Sequence, residues 1–175
     1  MRMFVALDLP DGLKAEIADL SRTLSRGCGG RFVDHEGYHL TLAFLGVIDE
    51  MGVALAVDAL DEACIGMAPV RLVPNGLGKF GSSRDATLWL GFAPEPELVG
   101  LFGRVRDGLR VRGLPFDEKP FSPHVTLARH ACLSEGTLSV TSLPAETDAA
   151  CVTLFRSTLS PGGPIYTPLH TVGWE

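Results

Sequence analysis

The sequence predicts alternating strands and helices arranged as two similar halves. Two five-residue segments carry this prediction, His39-Leu40-Thr41-Leu42-Ala43 and His124-Val125-Thr126-Leu127-Ala128, whose histidines lie 85 positions apart in a chain of 175 residues. Sliding the sequence by that distance superposes a strand, a helix and a His-x-Thr strand in the same order. A duplicated βαβ-type unit, its copies related by a pseudo-two-fold axis, explains this order most simply. We therefore expect one domain over residues 1–175, with internal repeats of about 1–85 and 86–175.

The first half begins with clear local signals. An apolar strand is predicted at 3–7, and Pro10 and Asp11 open a helix. The apolar residues of that helix recur at helical spacing, at Leu13, Ile17, Leu20 and Leu24. The elements predicted next are a strand at 31–33, a turn at 34–37, the first His-x-Thr strand at 39–43, a helix at 51–63 with Leu55 and Leu60 on its apolar side, a strand at 70–77 and a loop at 78–85. Because Pro74 interrupts the strand at 70–77, we expect that strand to be kinked or at a sheet edge.

The second half repeats the pattern. A strand is predicted at 87–92, and Pro96 starts a third helix. The buried stripe predicted for this helix is Leu98, Leu101, Phe102, Val105 and Leu109. The remaining predictions are the second His-x-Thr strand at 124–128, a strand from 151 to about 159, a turn at 161–164, a short strand at 165–167 and a last short strand at 170–174.

Composition limits the class of protein. With 46% hydrophobic and 21% charged residues the chain is not of a disordered type, and its net charge of −6 argues against binding along many phosphates of a long nucleic acid. No apolar run approaches the 18 or so residues that span a bilayer, and no signal peptide is evident. The four cysteines form no C-x-x-C pair. We expect a cytoplasmic monomer with no membrane segment, no metal, no cofactor and no obligate protein partner.

The paired segments carry chemistry as well as structure. In a strand His39 and Thr41, and likewise His124 and Thr126, point to the same face about 6.5 Å apart. A histidine has an unperturbed pKa of about 6.5, so a facing pair supplies one base and one acid for phosphodiester cleavage. The threonine hydroxyls can donate to phosphate oxygens, and Arg129, three residues beyond Thr126, can offset the transition-state charge.

A plainer interpretation exists for each of these residues. A single histidine on a half-buried strand is most often structural, and Arg129 could simply end a strand as a solvated charge. The matched threonines make the plain interpretation a poor one for the pair. His35, His130 and His170 have no matched partner, so we expect them at the surface or in loops.

The two segments in their wider context resemble a known family. His39–Gly46 and Ser122–Arg129 are similar to the paired signatures of the two-histidine (2H) phosphoesterases, and most of all to the bacterial and archaeal RNA 2′,3′-cyclic phosphodiesterases, historically called 2′-5′ RNA ligases. The likeness covers nearly the whole chain and includes Phe4–Leu7, Phe80, Leu88–Gly91 and the closing segment Ser157–Leu169 with Tyr166.

The resemblance implies a fold and a reaction. The fold is a bilobal α+β arrangement in which two antiparallel sheets line a central cleft and the helices lie outside. The reaction is metal-independent hydrolysis of RNA 2′,3′-cyclic phosphate ends to a 2′-phosphate. The implied partners are RNA ends or small cyclic nucleotides.

The resemblance also implies roles for individual residues. His39 would be the general acid and His124 the general base, although a pseudo-symmetric site can be read either way. Thr41, Thr126 and Arg129 would bind the phosphate.

Two further expectations concern aromatic side chains. Phe44 stands where the first segment has no counterpart of Arg129, so the bound phosphate should lean toward the second strand. Phe32 and Tyr38 are candidates for stacking on a nucleobase.

Two other functions remain open from the sequence. One is RNA end-joining by the reverse reaction, which forms a 2′-5′ linkage. The other is a non-catalytic RNA- or nucleotide-binding module on the same fold.

Overall fold

The computed structural model describes residues 1–139 and 142–174. Its helices are α1 (Asp11–Ser25), α2 (Glu50–Ala63) and α3 (Pro96–Val111), with a short 3-10 turn at His35–Gly37. Its strands are β1 (Arg2–Leu7), β2 (Gly29–Phe32), β3 (Leu40–Val47), β4 (Val70–Leu72), β5 (Pro74–Ser82), β6 (Asp85–Phe92), β7 (His124–Cys132), β8 (Thr147–Ala149), β9 (Cys151–Ser160) and β10 (Gly163–Gly173).

The strands form two four-stranded antiparallel sheets. The first has the order β10-β9-β1-β3 and the second the order β2-β7-β6-β5, while β4 and β8 make a small separate pair. Strands β3 and β7 bring the two sheets into contact. The predicted α+β class with two antiparallel sheets is confirmed.

Each sheet draws strands from both halves of the sequence. β9 and β10 lie beside β1 and β3 in the first sheet, whereas β5 and β2 flank β6 and β7 in the second. Three of the six strand pairings in these two sheets, β1 with β9, β2 with β7 and β5 with β6, link one half to the other. The repeated halves are interleaved in space.

The helices cover this core with one apolar face each. All four apolar residues predicted for α1 are buried, and in α3 Leu98, Leu101, Val105 and Leu109 are buried while Phe102 is half-buried. In α2 the buried positions include Leu60 and three alanines, and Leu55 is only half-buried. Small residues allow α2 to approach α3 closely: a Cβ added at Gly108 would meet the carbonyl oxygen of Ala59 at 3.4 Å.

The predicted loop at 78–85 is wrong. β5 continues to Ser82 and forms a hairpin with β6, in which Gly78 pairs with Trp89. The Trp89 ring occupies the space over Gly78, where an added Cβ would overlap the ring. Gly78, which indicates a loop in the sequence alone, is here the strand position on which the Trp89 ring packs. The single strand predicted at 70–77 is two strands, β4 and β5, which belong to different sheets and are separated before Pro74. Of these, β5 is at the edge of its sheet, as expected.

Other differences concern where strands begin and end. β3 continues past residue 43 to Val47, β2 begins at Gly29, and the two short strands predicted at the end of the chain are one strand, β10. β10 stays paired with the long strand β9 although it contains prolines, and the pairing has one irregularity between Pro168 and His170. Within the described residues, no helix has the length and apolar character that crossing a membrane requires.

Candidate active site

A β-bulge follows the His-x-Thr segment in the first sheet. Thr41 pairs with Ala6, but Ala43 pairs with the next residue, Val5, so β3 has one residue more than β1 across this interval. Leu42 and Ala43 are both buried, and the following Phe44 is 53% exposed. The extra residue restores Phe44 to the face that carries Thr41.

The second sheet has the same bulge at the equivalent place. Thr126 pairs with Trp89 and Ala128 with Leu88, the next residue of β6. Leu127 and Ala128 are again both buried and Arg129 is exposed. In a regular strand Arg129 would point away from Thr126, three positions before it. The bulge turns it to the same face, and the paired apolar residues after each threonine are the sequence signal for it.

Both histidines are held by the same hydrogen bond. Nδ1 of His39 donates to the backbone carbonyl oxygen of Gly37 at 2.8 Å, and Nδ1 of His124 donates to that of Ser122 at 2.6 Å. A carbonyl oxygen only accepts, so Nδ1 carries the hydrogen in both rings. The second nitrogen, Nε2, is therefore the atom of each imidazole that can take up or release a proton.

Aromatic rings hold His39 in place. Its ring centroid lies 4.9 Å from that of Phe4 and 5.1 Å from that of Tyr166, which meets it edge-on at 85°. Phe4 is also stacked on Phe155 at 5.2 Å and lies 6.0 Å from Phe44. Phe4 is 3% exposed, so these rings form an apolar wall behind the imidazole.

His124 has an equivalent pair of aromatic neighbours. Phe80 meets it edge-on, with centroids 5.2 Å apart at 84°, and Trp89 lies at 5.8 Å. Trp89 aligns with Phe4 in the repeat, and Phe80 has the same edge-on geometry as Tyr166. The pseudo-symmetry therefore extends from the histidines to the rings that support them.

The environment of His39 changes its acidity. Desolvation by burial lowers the pKa of His39 to about 4, against the opposing effect of its hydrogen bond to Gly37. The positive charges of Arg129, Lys14 and His124 lower that pKa further. Arg129 and His124 belong to the second sheet, whose strand β7 contacts β3 of the first.

Arg129 is paired across strands with a second arginine. Arg31 of β2 lies directly opposite Arg129 of β7, and both side chains are exposed. Residues directly opposite each other in an antiparallel pair point to the same face. Arg31 therefore joins His124, Thr126 and Arg129 on one face of the second sheet. Sequence reasoning did not select Arg31, because its position depends on the register of β2.

The two residues predicted to stack on a nucleobase differ in exposure. Tyr38 is 3% exposed, packs in the core and donates a hydrogen bond from its hydroxyl to Oγ of Ser21 at 3.1 Å. Phe32 pairs with the buried Ala128 and packs against the core. Tyr38 therefore offers no free face to a nucleobase, whereas Phe32 is half-buried and its stacking role stays a prediction. The exposed aromatic rings beside the histidines are Phe44 and Phe80, at 53% and 46%.

The other histidines lie outside this group. His35 contacts Glu36 in the 3-10 turn, His130 contacts Asp85, and His170 of β10 bonds Asp61 of α2. Their surface positions agree with expectation. His130 has a φ of 50° and marks a second irregularity in β7, immediately after Arg129.

A cavity of about 300 Å³ adjoins Arg129. Phe80, Thr87 and His130 are among the residues that line it. The cavity thus continues the histidine-bearing face toward the β5–β6 hairpin. In the described part of the chain, no three His, Cys, Asp or Glu side chains are grouped so that they could hold a metal ion.

Comparison with known proteins places this geometry in a family. The model of the 2'-5' RNA ligase superfamily matches residues 9–156. The chain belongs to this superfamily.

Individual relatives match over nearly their whole length. An RNA 2',3'-cyclic phosphodiesterase of Thermotoga maritima is 29% identical over 100% of this chain and 96% of its own length. One of Archaeoglobus fulgidus is 30% identical, covering 97% of this chain and 98% of the relative. Among solved structures, apo LigT of Escherichia coli has a TM-score of 0.79 at 28% identity, over 98% of this chain and 96% of that one. LigT has also been crystallised with phosphate and with 3'-AMP.

Proposed function

We propose that this protein hydrolyses RNA 2′,3′-cyclic phosphate ends to 2′-phosphates by general acid–base catalysis with His39 and His124. The observation that carries the proposal is the matched pair of imidazoles, each with Nδ1 bound to a backbone carbonyl and Nε2 free to exchange a proton. The relatives named RNA 2',3'-cyclic phosphodiesterase support the choice of substrate. Both histidines come from one chain, so we propose that a monomer is the active form, acting in the cytoplasm.

The phosphate is proposed to lie nearer the second sheet. Thr41 and Thr126 each stand on the face of their histidine and can donate a hydroxyl to a non-bridging oxygen. Arg129 adds a positive charge beside Thr126, whereas the bulge places the apolar Phe44 beside Thr41. An anion is stabilised on the side that carries the guanidinium.

The reaction needs one protonated and one neutral imidazole. The base removes a proton from water, whose oxygen forms the new bond to phosphorus. The bond from phosphorus to the 3′-oxygen breaks, and the acid gives that oxygen its proton, which leaves a 2′-phosphate. The resemblance makes His39 the acid. A pKa of about 4 leaves His39 neutral in the free protein at pH 7, which favours the opposite division unless the bound phosphate anion raises that pKa.

A diester with an activated leaving group distinguishes the two divisions. A p-nitrophenolate ion leaves without a proton, so bis(p-nitrophenyl) phosphate needs the base but not the acid. The variant that lacks the acid should retain turnover of this ester, and the variant that lacks the base should lose it. Comparison of His39→Ala with His124→Ala therefore assigns each role.

The substrate and the reaction are tested directly with RNA. The protein is incubated with an RNA that ends in a 2′,3′-cyclic phosphate, in the presence of EDTA. We expect a product ending in 2′-phosphate. A product ending in 3′-phosphate, a strict requirement for added metal, or a joined product with a 2′-5′ linkage as the main species would contradict the proposal.

A further inference from the structure

We propose that Arg31 binds the phosphodiester immediately upstream of the reacting phosphate, so that the site prefers RNA ends to cyclic mononucleotides. This inference rests on the proposed function, and it assigns to that site a second phosphate position. The residue lies on β2, the edge strand beside β7, with its side chain on the face that carries Thr126 and Arg129.

The first argument is electrostatic. Like charges directly opposite each other on neighbouring strands destabilise a sheet. Arg31 and Arg129 are such a pair, and no carboxylate in the described residues forms an ion pair with either, although seven ion pairs between an arginine or lysine and a carboxylate occur there. The repulsion between Arg31 and Arg129 is therefore left for a bound anion to relieve.

The second argument is position. Arg129 lies on β7, the strand that carries His124 and Thr126, whereas Arg31 lies on β2, the edge strand beside it. Arg31 stands one strand further from the reacting centre, and neighbouring strands are about 4.8 Å apart. A guanidinium displaced in this way from Arg129 meets the next phosphate of a bound strand more readily than the one that reacts.

The third argument is how firmly this position is held. β2 reaches its register through an irregularity between Gly29 and Arg31, and Gly30 has a φ of 140°. A Cβ added at Gly30 would lie 2.8 Å from Cα of Ala131, so the two backbones approach closely here. Phe32, on the opposite face, packs against the core. These contacts fix the strand from which Arg31 extends.

The test compares two substrates that differ in the upstream phosphate. Turnover by wild type and Arg31→Gln is measured on a nucleoside 2′,3′-cyclic phosphate and on a short oligonucleotide with the same 3′ end, at several salt concentrations. We expect Arg31→Gln to lower kcat/KM about tenfold on the oligonucleotide, mainly through KM, and no more than about twofold on the mononucleotide. The slope of log(kcat/KM) for the oligonucleotide against log[salt] should become shallower by about 0.7.

Arg22→Gln is the matched control, because it removes the same charge from an exposed residue of α1 that is ion-paired with Asp19. It should affect both substrates equally and slightly. Equal losses on both substrates with Arg31→Gln would mean that Arg31 acts on the reacting phosphate, and no loss on either would mean that it binds no phosphate. Either result overturns the inference.

Binding measurements separate this inference from the proposed function. If wild type turned over neither substrate, the proposed function would fail. The affinities of a 2′-phosphate-ended oligonucleotide and of the corresponding nucleoside 2′-phosphate would still test Arg31. A loss confined to the oligonucleotide in Arg31→Gln supports the upstream position, and parallel affinities overturn it.

Discussion

At the scale of single residues, the site combines two similar imidazoles with different surroundings. His39 lies against Phe4 and Tyr166 and near Phe44, whereas His124 shares its face with Arg129. The hydrogen bonds to Gly37 and Ser122 make the rings alike in tautomer. Burial and nearby positive charge lower the pKa of His39.

The difference in charge between the two sides predicts unequal losses. Arg129→Gln should lower kcat/KM about 10²-fold, because it removes the guanidinium that faces the developing charge. Thr126→Val should cost more than Thr41→Val, since the phosphate is proposed to lean toward the second sheet. Steady-state kinetics of the three variants, with Arg22→Gln as the charge control, measures this. A larger loss of kcat/KM with Thr41→Val than with Thr126→Val would contradict a phosphate position nearer the second sheet.

The lowered pKa of His39 also predicts how stability depends on pH. The unfolded chain binds a proton at this position below a pKa of about 6.5 and the folded chain only below about 4. Stability therefore falls as pH falls through this window, by about 1–3 kcal/mol from this one group. Denaturant unfolding measures the free energy of unfolding at pH 7 and at pH 4.5. The decrease between these pH values should be smaller for His39→Gln than for wild type. An equal loss of stability in His39→Gln and wild type would count against the effect.

At the scale of elements, the bulges in β3 and β7 determine which side chains lie on the face of each threonine, Phe44 beside Thr41 and Arg129 beside Thr126. Local pattern was enough to predict the three helices, because Pro10, Pro96 and the apolar stripes act within a few residues. It was also enough to predict the His-x-Thr strands. The orientation of Arg129 and the place of Arg31 depend on how many residues stand opposite each other in two strands. Such register is a property of paired strands and has only a weak signal in either one.

The same reason explains the missed hairpin. Gly78 and Gly81 indicate a loop when the segment is read alone, but Trp89 from the neighbouring strand covers Gly78. The assignment of Tyr38 as a stacking residue was wrong for a related reason. An aromatic residue near a site motif is equally compatible with the core beneath it, and Tyr38 lies there.

The packing of Trp89 on Gly78 predicts a specific sensitivity. Gly78→Ala adds a Cβ that overlaps the indole, which must then move away from His124. We expect a loss of about 1–3 kcal/mol in the free energy of unfolding, and lower kcat. Gly100→Ala is the matched control, because this glycine lies on the exposed side of α3 with open space around it. That substitution should stabilise the protein by up to about 1 kcal/mol. Equal effects of the two substitutions would refute the packing argument.

At the scale of the whole molecule, the repeated sequence is interleaved in space. Each four-stranded sheet contains two strands from each half. The comparison of the halves anticipated that each half has a strand, a helix and a His-x-Thr strand in this order. That the two histidines face each other stays a prediction. The exchange of strands could not be predicted, because a sequence repeat fixes the elements of each half and leaves open which neighbours they pair with.

The interleaving predicts that the halves cannot fold separately. A chain of residues 1–85 lacks β9 and β10, and a chain of residues 86–175 lacks β2 and β5. Each should show no cooperative thermal unfolding alone, and their equimolar mixture should recover a transition and part of the activity. A cooperative transition in either fragment alone would contradict this account.

The central claim is that His39 and His124 act as one acid–base pair, and a double-mutant cycle tests it most directly. We expect His39→Ala and His124→Ala each to lower kcat about 10²–10⁴-fold on an RNA ending in a 2′,3′-cyclic phosphate. The double variant should be scarcely slower than either single variant, because groups that act as a unit lose their effect together. Full activity in either single variant, or losses that multiply in the double variant, would contradict the claim.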